Sequence, residues 1–245
     1  VLFSTSKNLV HVWDLRVSSK TQWTFNAGRG MASSVSSSGE IIAAGYQRGE
    51  IFLWDARNPN QAVRQFESYH SADAVISLEF SRKYPTQLLS AAEDGLVCLF
   101  DASKDEDEEF GVYPIGSAVD RAGFICNGEQ SIYVFTHTCK IQLWDRDDAD
   151  AAEPIVEGND LRQVLSQNGA QIPVQYYVDM FHVDDNVYLA GGNTSGSGIV
   201  FCLRDGNFVP RYCFNGPHQD RIRDVCWLKN SNRLVSCCEG GKVIF

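Results

Sequence analysis

The sequence predicts an all-β fold of the propeller class, and three observations carry that reading. Short apolar runs alternate with Gly- and Asp-containing turns along all 245 residues, the pattern of antiparallel strands joined by hairpins. The runs fall into recurring groups, each closing on an aromatic residue and an aspartate: Trp13-Asp14, Trp54-Asp55, Phe100-Asp101 and Trp144-Asp145. These aromatics are 41, 46 and 44 residues apart, a period that suits a four-stranded propeller blade and no helical solenoid.

The first unit contributes Val1 to Ser6, Leu9 to Trp13 and Thr21 to Asn26 and lacks a first strand. The second places Ile41 to Tyr46 and Glu50 to Trp54 around a Gln47-Arg48-Gly49 turn, with Ala62 to Glu67 following. Its first strand, within Met31 to Ser36, is weakly specified because serines replace alternating hydrophobes. The best-preserved unit is Tyr69 to Asp101. There Ile76, Leu78 and Phe80 share one face and Val75, Ser77 and Glu79 the other, and Asp94-Gly95 joins Leu88 to Ala92 with Leu96 to Phe100 as a hairpin. The fourth unit runs through Val119 to Ile125, Ser131 to Thr136 and Lys140 to Trp144.

Between Arg146 and Gln175 two readings stand: a strand at Pro154 to Gly158, which is favoured, or one short amphipathic helix behind Asn159-Asp160. The fifth unit offers Tyr176 to His182, Asn186 to Ala190, Gly198 to Leu203 with Cys202 at the aromatic position, and Phe208 to Phe214. The sixth offers Ile222 to Leu228, Arg233 to Cys238 and Lys242 to Phe245. Residues 1–245 are therefore expected to form a single propeller domain, cut inside a blade at both ends.

A formal net charge of −10 disfavours nucleic acid and membrane surfaces and favours basic partners. No apolar run approaches the ~18 residues of a membrane span and nothing resembles a signal peptide. The eight cysteines, Cys98, Cys126, Cys139, Cys202, Cys213, Cys226, Cys237 and Cys238, form no CxxC pair. They read as small buried hydrophobes of a reducing compartment, the cytoplasm and/or nucleus, and only one of Cys237 and Cys238 can face the core. Neither a metal nor a cofactor is expected.

Through its four aromatic-Asp dipeptides, each preceded by alternating hydrophobes, the chain resembles the WD-repeat β-propeller family. The resemblance implies seven blades when complete, with this chain covering about five to six. In that family a His before the first strand, a Ser or Thr on the second, an Asp in the next turn and the Trp hydrogen-bond in a chain that ties each blade together. By position His70, Ser90 and Asp94 take the first three roles, and Phe100 replaces the Trp, so the indole donor is missing. Arg48 and Thr138 stand at the Asp position of units two and four, and only His218 and Ser236 survive in unit six. Further stretches, among them Glu153-Pro154-Ile155, Asp160 to Val164, Gly191-Gly192-Asn193 and Val225-Cys226-Trp227, resemble one eukaryotic, intracellular subgroup of the family.

Function is expected to be non-catalytic protein binding. Asp101 to Glu109 holds Asp105, Glu106, Asp107, Glu108 and Glu109; Asp145 to Asp150 holds Asp147, Asp148 and Asp150. Each run follows the third strand of its blade, so both should emerge on one face as a dock for a basic client such as a ribosomal protein or histone tail; the competing reading is solvated loop acid. Arg16 and Arg57 complete two Trp-Asp-x-Arg motifs, which resemble those of propellers that serve as substrate receptors of cullin-RING ubiquitin ligases, or else form surface ion pairs. Gly191 to Gly198 lacks the Lys-Ser/Thr and helix of a phosphate loop and reads as a turn. No nucleophile elbow, paired-carboxylate helix or HExxH motif appears, which argues against an enzyme.

Overall fold

The computed structural model describes residues 2–14, 23–26, 30–58, 60–104, 109–125, 129–149, 151, 153–158, 172–216 and 218–244. These residues build six sheets whose strands keep sequence order, as hairpin-linked meanders do. The first holds β1 (Leu2–Ser6), β2 (Leu9–Trp13) and β3 (Trp23–Asn26); the second β4 (Ala32–Ser38), β5 (Ile41–Tyr46), β6 (Ile51–Asp55) and β7 (Arg64–Phe66). The third holds β8 (Val75–Phe80), β9 (Gln87–Ala92), β10 (Leu96–Asp101) and β11 (Glu109–Pro114), and the fourth β12 (Val119–Ile125), β13 (Ser131–Thr136), β14 (Ile141–Asp145) and β15 (Val156–Gly158). The fifth holds β16 (Tyr176–Val183), β17 (Asn186–Gly192), β18 (Gly198–Arg204) and β19 (Asn207–Phe214), and the sixth β20 (Ile222–Leu228), β21 (Arg233–Cys238) and β22 (Val243–Ile244). The chain divides into two compact units, residues 1–124 with 144–154 and residues 125–143 with 155–245.

Within the first unit the aromatic of each dipeptide packs on an aromatic from the outer strand of the preceding sheet. Trp54 meets Phe25 at 5.6 Å, Phe100 meets Phe66 at 5.0 Å, and Trp144 meets Tyr113 edge-on at 5.8 Å. All six rings are essentially inaccessible. Each such side chain is worth about 1.5–3 kcal/mol in removed apolar surface, with ring geometry adding about 0.5–1.5 kcal/mol per pair. In the second unit Phe201 takes this role. It stands opposite Leu189 as Trp54 stands opposite Ile42 and Phe100 opposite Leu88, and it lies in a core cluster with Tyr177, Met180 and Leu189. Cys202 therefore occupies the aspartate position and not the aromatic one: Phe201 follows the turn glycine Gly196 by five residues, as Trp54 follows Gly49 and Phe100 follows Gly95.

A second joint is made by the glycine of the tight turn between the second and third strands. Gly49, Gly95 and Gly196 all have positive φ, near +80°, and a Cβ at these positions would meet the backbone of His70, Ser117 and His218, at 2.3, 3.2 and 2.5 Å. Each turn thus presses its bare backbone onto the loop that enters the next sheet.

A third joint runs between first strands. Ser34 Oγ donates to the Val75 carbonyl at 2.7 Å and Ser77 Oγ to that of Ala122 at 2.8 Å, while Ser36 Oγ accepts from Phe80 N–H and Glu79 from Phe124 N–H. The second unit uses tyrosines: from the second strand β13 Tyr133 O–H donates to Asp179 of the next first strand at 2.6 Å, and between first strands the Tyr176 hydroxyl accepts from Ile222 N–H at 2.8 Å. The serines that make β4 look weak as a strand are its fastenings to the next sheet.

Simple alternation in β8 is not observed. A register shift between Val75 and Ser77 leaves Ile76 unpaired, so Val75 joins Leu78 and Phe80 in the core. The same shift recurs at Ala32/Ser34, Tyr177/Asp179 and Ile222/Asp224. The cysteines also divide: Cys98, Cys202 and Cys238 are buried, whereas Cys213 and Cys226 are exposed, because their strands are covered on one side only. Strand β15 lies within Pro154 to Gly158; the helix alternative at 159–169 falls outside the described residues.

Gly49→Ala is expected to cost about 2–4 kcal/mol in urea unfolding, since it adds backbone strain to a clash with a carbonyl. Gly206→Ala, with similar φ but nothing within 4 Å of the new Cβ, should cost only about 1 kcal/mol. Equal losses would show that turn strain alone, and not sheet docking, fixes these glycines.

Candidate functional site

Around the third sheet the loop before β8, the end of β9 and the β9–β10 turn converge on His70, which is 1% exposed. Its Nδ1–H donates to Asp94 Oδ2 at 3.0 Å and its Nε2 accepts from the Ser90 hydroxyl at 2.9 Å. Asp94 also accepts from Leu96 N–H and Ser71 N–H. Burial works to raise the Asp94 carboxyl, but the bonds from His70 and the two amides prevail and hold it below the usual range. Phe100, which has no donor, stacks on Tyr69 at 4.5 Å instead. In the first sheet Trp13 keeps an indole bond, donating to Ser4 Oγ at 3.0 Å.

The sixth sheet repeats half of this arrangement. His218 is buried and its Nε2 lies 2.8 Å from Ser236 Oγ, but its Nδ1 is buried without a hydrogen-bond partner among the described residues. Gly240 stands where Asp94 stands in the third sheet, and a Cβ there would meet the Asp220 carboxylate at 2.3 Å. Burial, and secondarily Lys242, pushes the His218 pKa below its ordinary 6.5. Other sheets compensate differently: Thr136 and Thr138 share a hydroxyl bond of 2.9 Å, and Asn193 Oδ1 accepts from Ser195 and Ser197.

The aspartate of each dipeptide has its own task. Asp55, Asp101 and Asp145 each accept, through Oδ1, the N–H two residues on, from Arg57, Ser103 and Asp147 at 2.8 to 2.9 Å. This turn launches the loop after the third strand from the same point of each sheet. Arg57 also forks onto Asp55 and reaches Glu40 at 2.9 Å, and its hydrogen bonds hold the Asp55 pKa at about 2. Its side chain remains 69% exposed. Arg16 lies outside the described residues.

Among the acidic candidates, Asp147 and Asp148 are exposed and Glu109 opens β11, whereas Asp105 to Glu108 and Asp150 lie outside the described residues. The two acidic loops nevertheless have described neighbours in common. Gly111, two residues into β11 from Glu109, abuts Ala149: a Cβ at 111 would lie 2.2 Å from the Ala149 methyl. Tyr113 O–H donates to the Arg146 carbonyl at 2.6 Å. Burial drives the Tyr113 pKa to about 12, opposed by Arg146 and assisted by Asp147, Asp145 and Asp148. The Arg146 guanidinium lies over the rings of Tyr84 at 4.4 Å and Phe124 at 5.4 Å.

A separate cavity of about 510 Å³ lies in the second unit among Phe181, Tyr188, Tyr212, Phe214, Trp227 and Leu234. Among the described residues no three His, Cys, Asp or Glu side chains group as a metal site requires. Nor is any helix among them long and apolar enough to cross a membrane.

Comparison with known proteins bears on the repeat itself. A family model described as WD40, "WD domain, G-beta repeat", matches residues 208–245. The chain is 26% identical over 249 residues to the WD repeat-containing protein 89 homolog of Dictyostelium discoideum, covering 100% of this chain and 67% of that protein. It is 27% identical over 231 residues to the WD repeat-containing protein GTS1 of Arabidopsis thaliana, covering 90% and 58%. A chain in the crystal structure of the mitotic checkpoint complex superposes with a TM-score of 0.71 at 15% identity, over 98% of this chain and 69% of that one. The fold is that of a WD40 β-propeller.

The six sheets are thus propeller blades, and this chain spans between 58% and 67% of the length of the two curated relatives. WD40 propellers generally act as non-catalytic platforms for protein partners. The sequence reading overlooked Tyr113 and Arg146, although one signal was present: Phe25, Phe66 and Tyr113 follow the blade aromatics by 12, 12 and 13 residues.

Gly240→Asp combined with Asp220→Ala supplies the acceptor that His218 Nδ1 lacks without setting a second carboxylate on that of Asp220, which a Cβ at 240 would meet at 2.3 Å. It should raise stability at pH 7 by about 1 kcal/mol. Because the folded pKa of His218 is depressed, the unfolded chain takes up a proton below pH 6.5 that the folded chain refuses, and stability falls as pH drops through that window. The variant should flatten this fall in thermal melts between pH 7 and pH 5, and an unaltered acid limb would speak against the assignment.

Proposed function

We propose that this WD40 propeller is a non-catalytic scaffold that captures a Lys/Arg-rich protein segment on the acidic loops of its third and fourth blades. The observation that carries this reading is the approach of Gly111 to Ala149, which sets the strand leaving one acidic run against the other run. Equivalent turns at Asp101 and Asp145 launch both loops. Charge of one sign gathered in neighbouring loops attracts cationic segments over roughly a Debye length, about 8–10 Å at ordinary ionic strength. The net charge of −10 adds a long-range contribution of the same sign.

A second reading rests on Arg57, whose exposed guanidinium is held in place by Asp55 and Glu40. In that reading Arg16 and Arg57 contact a ubiquitin-ligase adaptor. The existing fork onto Asp55 favours the intramolecular role, and co-purification of the adaptor should survive Arg16→Ala with Arg57→Ala if that role is the whole of it.

Reversal of Asp105, Glu106, Asp107, Asp148 and Asp150 to Lys should abolish retention of a Lys/Arg-rich tail peptide, and retention by the unaltered chain should fall steeply with salt. Thermal stability should change little, since Asp148, the one described member of this set, is exposed. Undiminished, salt-insensitive binding by the reversed protein would end the acidic-dock reading.

A further inference from the structure

Five serines have a carboxylate three residues ahead: Ser37, Ser90, Ser103, Ser117 and Ser236. Their surroundings separate them. Ser90 and Ser236 are buried and bonded to His70 and His218. Ser37 sits inside β4, paired with Ile42, and Ser117 lies beneath the Gly95 turn. Ser103 alone of the five is exposed and outside a strand. It is also the richest in following charge, with Asp105, Glu106, Asp107, Glu108 and Glu109 at the second to sixth positions beyond it.

We infer that Ser103 is a phosphoacceptor for a serine/threonine kinase with a basic substrate groove, one that reads carboxylates on the C-terminal side of the serine. Such an enzyme needs the acceptor segment extended, and among the described residues the bonds made by Ser103 itself are local. Ser103 N–H and O–H both donate to Asp101 Oδ1, at 2.9 and 2.6 Å, and Lys104 N–H donates to the Asp101 carbonyl at 3.0 Å. No strand pairing has to be broken at Ser103 itself. In the transfer the bond between the γ-phosphorus of ATP and its bridging oxygen breaks and a bond from Ser103 Oγ to that phosphorus forms. ADP leaves with the bridging electron pair, and the hydroxyl proton passes to the base of the kinase.

The product carries about −1.5 to −2 further charge near pH 7 and loses the hydroxyl proton that Ser103 gives to Asp101. Two like charges then face each other where a 2.6 Å hydrogen bond stood, so the turn opens. Cations are at hand to receive the phosphate: Lys104 is next in sequence, and Arg64 Nη1 lies 2.8 Å from the Lys104 carbonyl. Any gain in capture of a basic client rests on the acidic-dock reading, but the modification does not, and phosphate incorporation is measured without a client.

The test treats the intact chain with Mg·ATP and a purified kinase of the casein kinase 2 type, beside an arginine-directed kinase, and locates phosphate by fragment mass spectrometry. One phosphate is expected, on Ser103, from the acid-directed enzyme alone. Ser103→Ala should remove it, and Asp105→Asn with Glu106→Gln and Asp107→Asn should slow its addition about tenfold or more. No incorporation into the folded chain, phosphate on Ser37 or Ser117 in place of Ser103, or a rate indifferent to the three carboxylates would each overturn the inference.

Discussion

The rest of the structure depends on how each blade docks on its neighbour. A single meander of three or four short strands has too little core to stand alone, so stability has to come from the joints between blades. Three kinds of joint recur with the period of the repeat: blade aromatic on preceding outer strand, turn glycine on the next entry loop, and first-strand side chain on the next first strand. The glycine joint is the least forgiving. Gly49 and Gly196 bring backbone so close to the loops of His70 and His218 that no side chain can intervene, and each histidine is in turn held by a serine of its own blade. The polar chain inside a blade therefore does more than stiffen that blade, because it presents a fixed backbone surface for the preceding turn.

This division of labour separates the two residues of the repeated dipeptide. The aromatic secures blade to blade, and the aspartate shapes the exit of the following loop through its bond to the second N–H ahead. Loops of any composition can then be attached at an invariant launching point, which is how a propeller varies function at constant fold. In the third and fourth blades the loops so launched are the two most acidic stretches of the chain. Tyr113, a buried phenol whose ionisation is suppressed by burial and by the aspartates at 145, 147 and 148, donates to the Arg146 carbonyl at the start of the second.

The architecture was legible because strand alternation, turn glycines and the aromatic-Asp period all repeat, and repetition corrects for the weakness of any one signal. What was not legible depends on partners distant in sequence. Ser34, Ser36 and Ser77 look like poor strand residues until the carbonyls and amides some 40 residues on are seen beside them. The bulge at Ile76 leaves no mark in the local hydrophobic pattern, yet it decides that Val75 is buried. Cys202 was misplaced because the long connection from Arg146 to Gln175 interrupts the aromatic-Asp period, and strand register together with the five-residue step from Gly196 identifies Phe201 as the blade aromatic. At the candidate site the acidic runs and the His70 set could be read directly from the chain. The contact of Gly111 with Ala149 could not, since nothing in either residue announces the other.

The proposed dock places a basic segment on the loops that follow the third strands of blades three and four. Hydrogen exchange of the intact chain, with and without a saturating Lys/Arg-rich peptide, tests it most directly. Slowed exchange is expected to concentrate in residues 101–111 and 145–151, with the His70 and His218 surroundings unchanged. Protection confined to β16–β22, or none at all at the two loops while the peptide is bound, would contradict it.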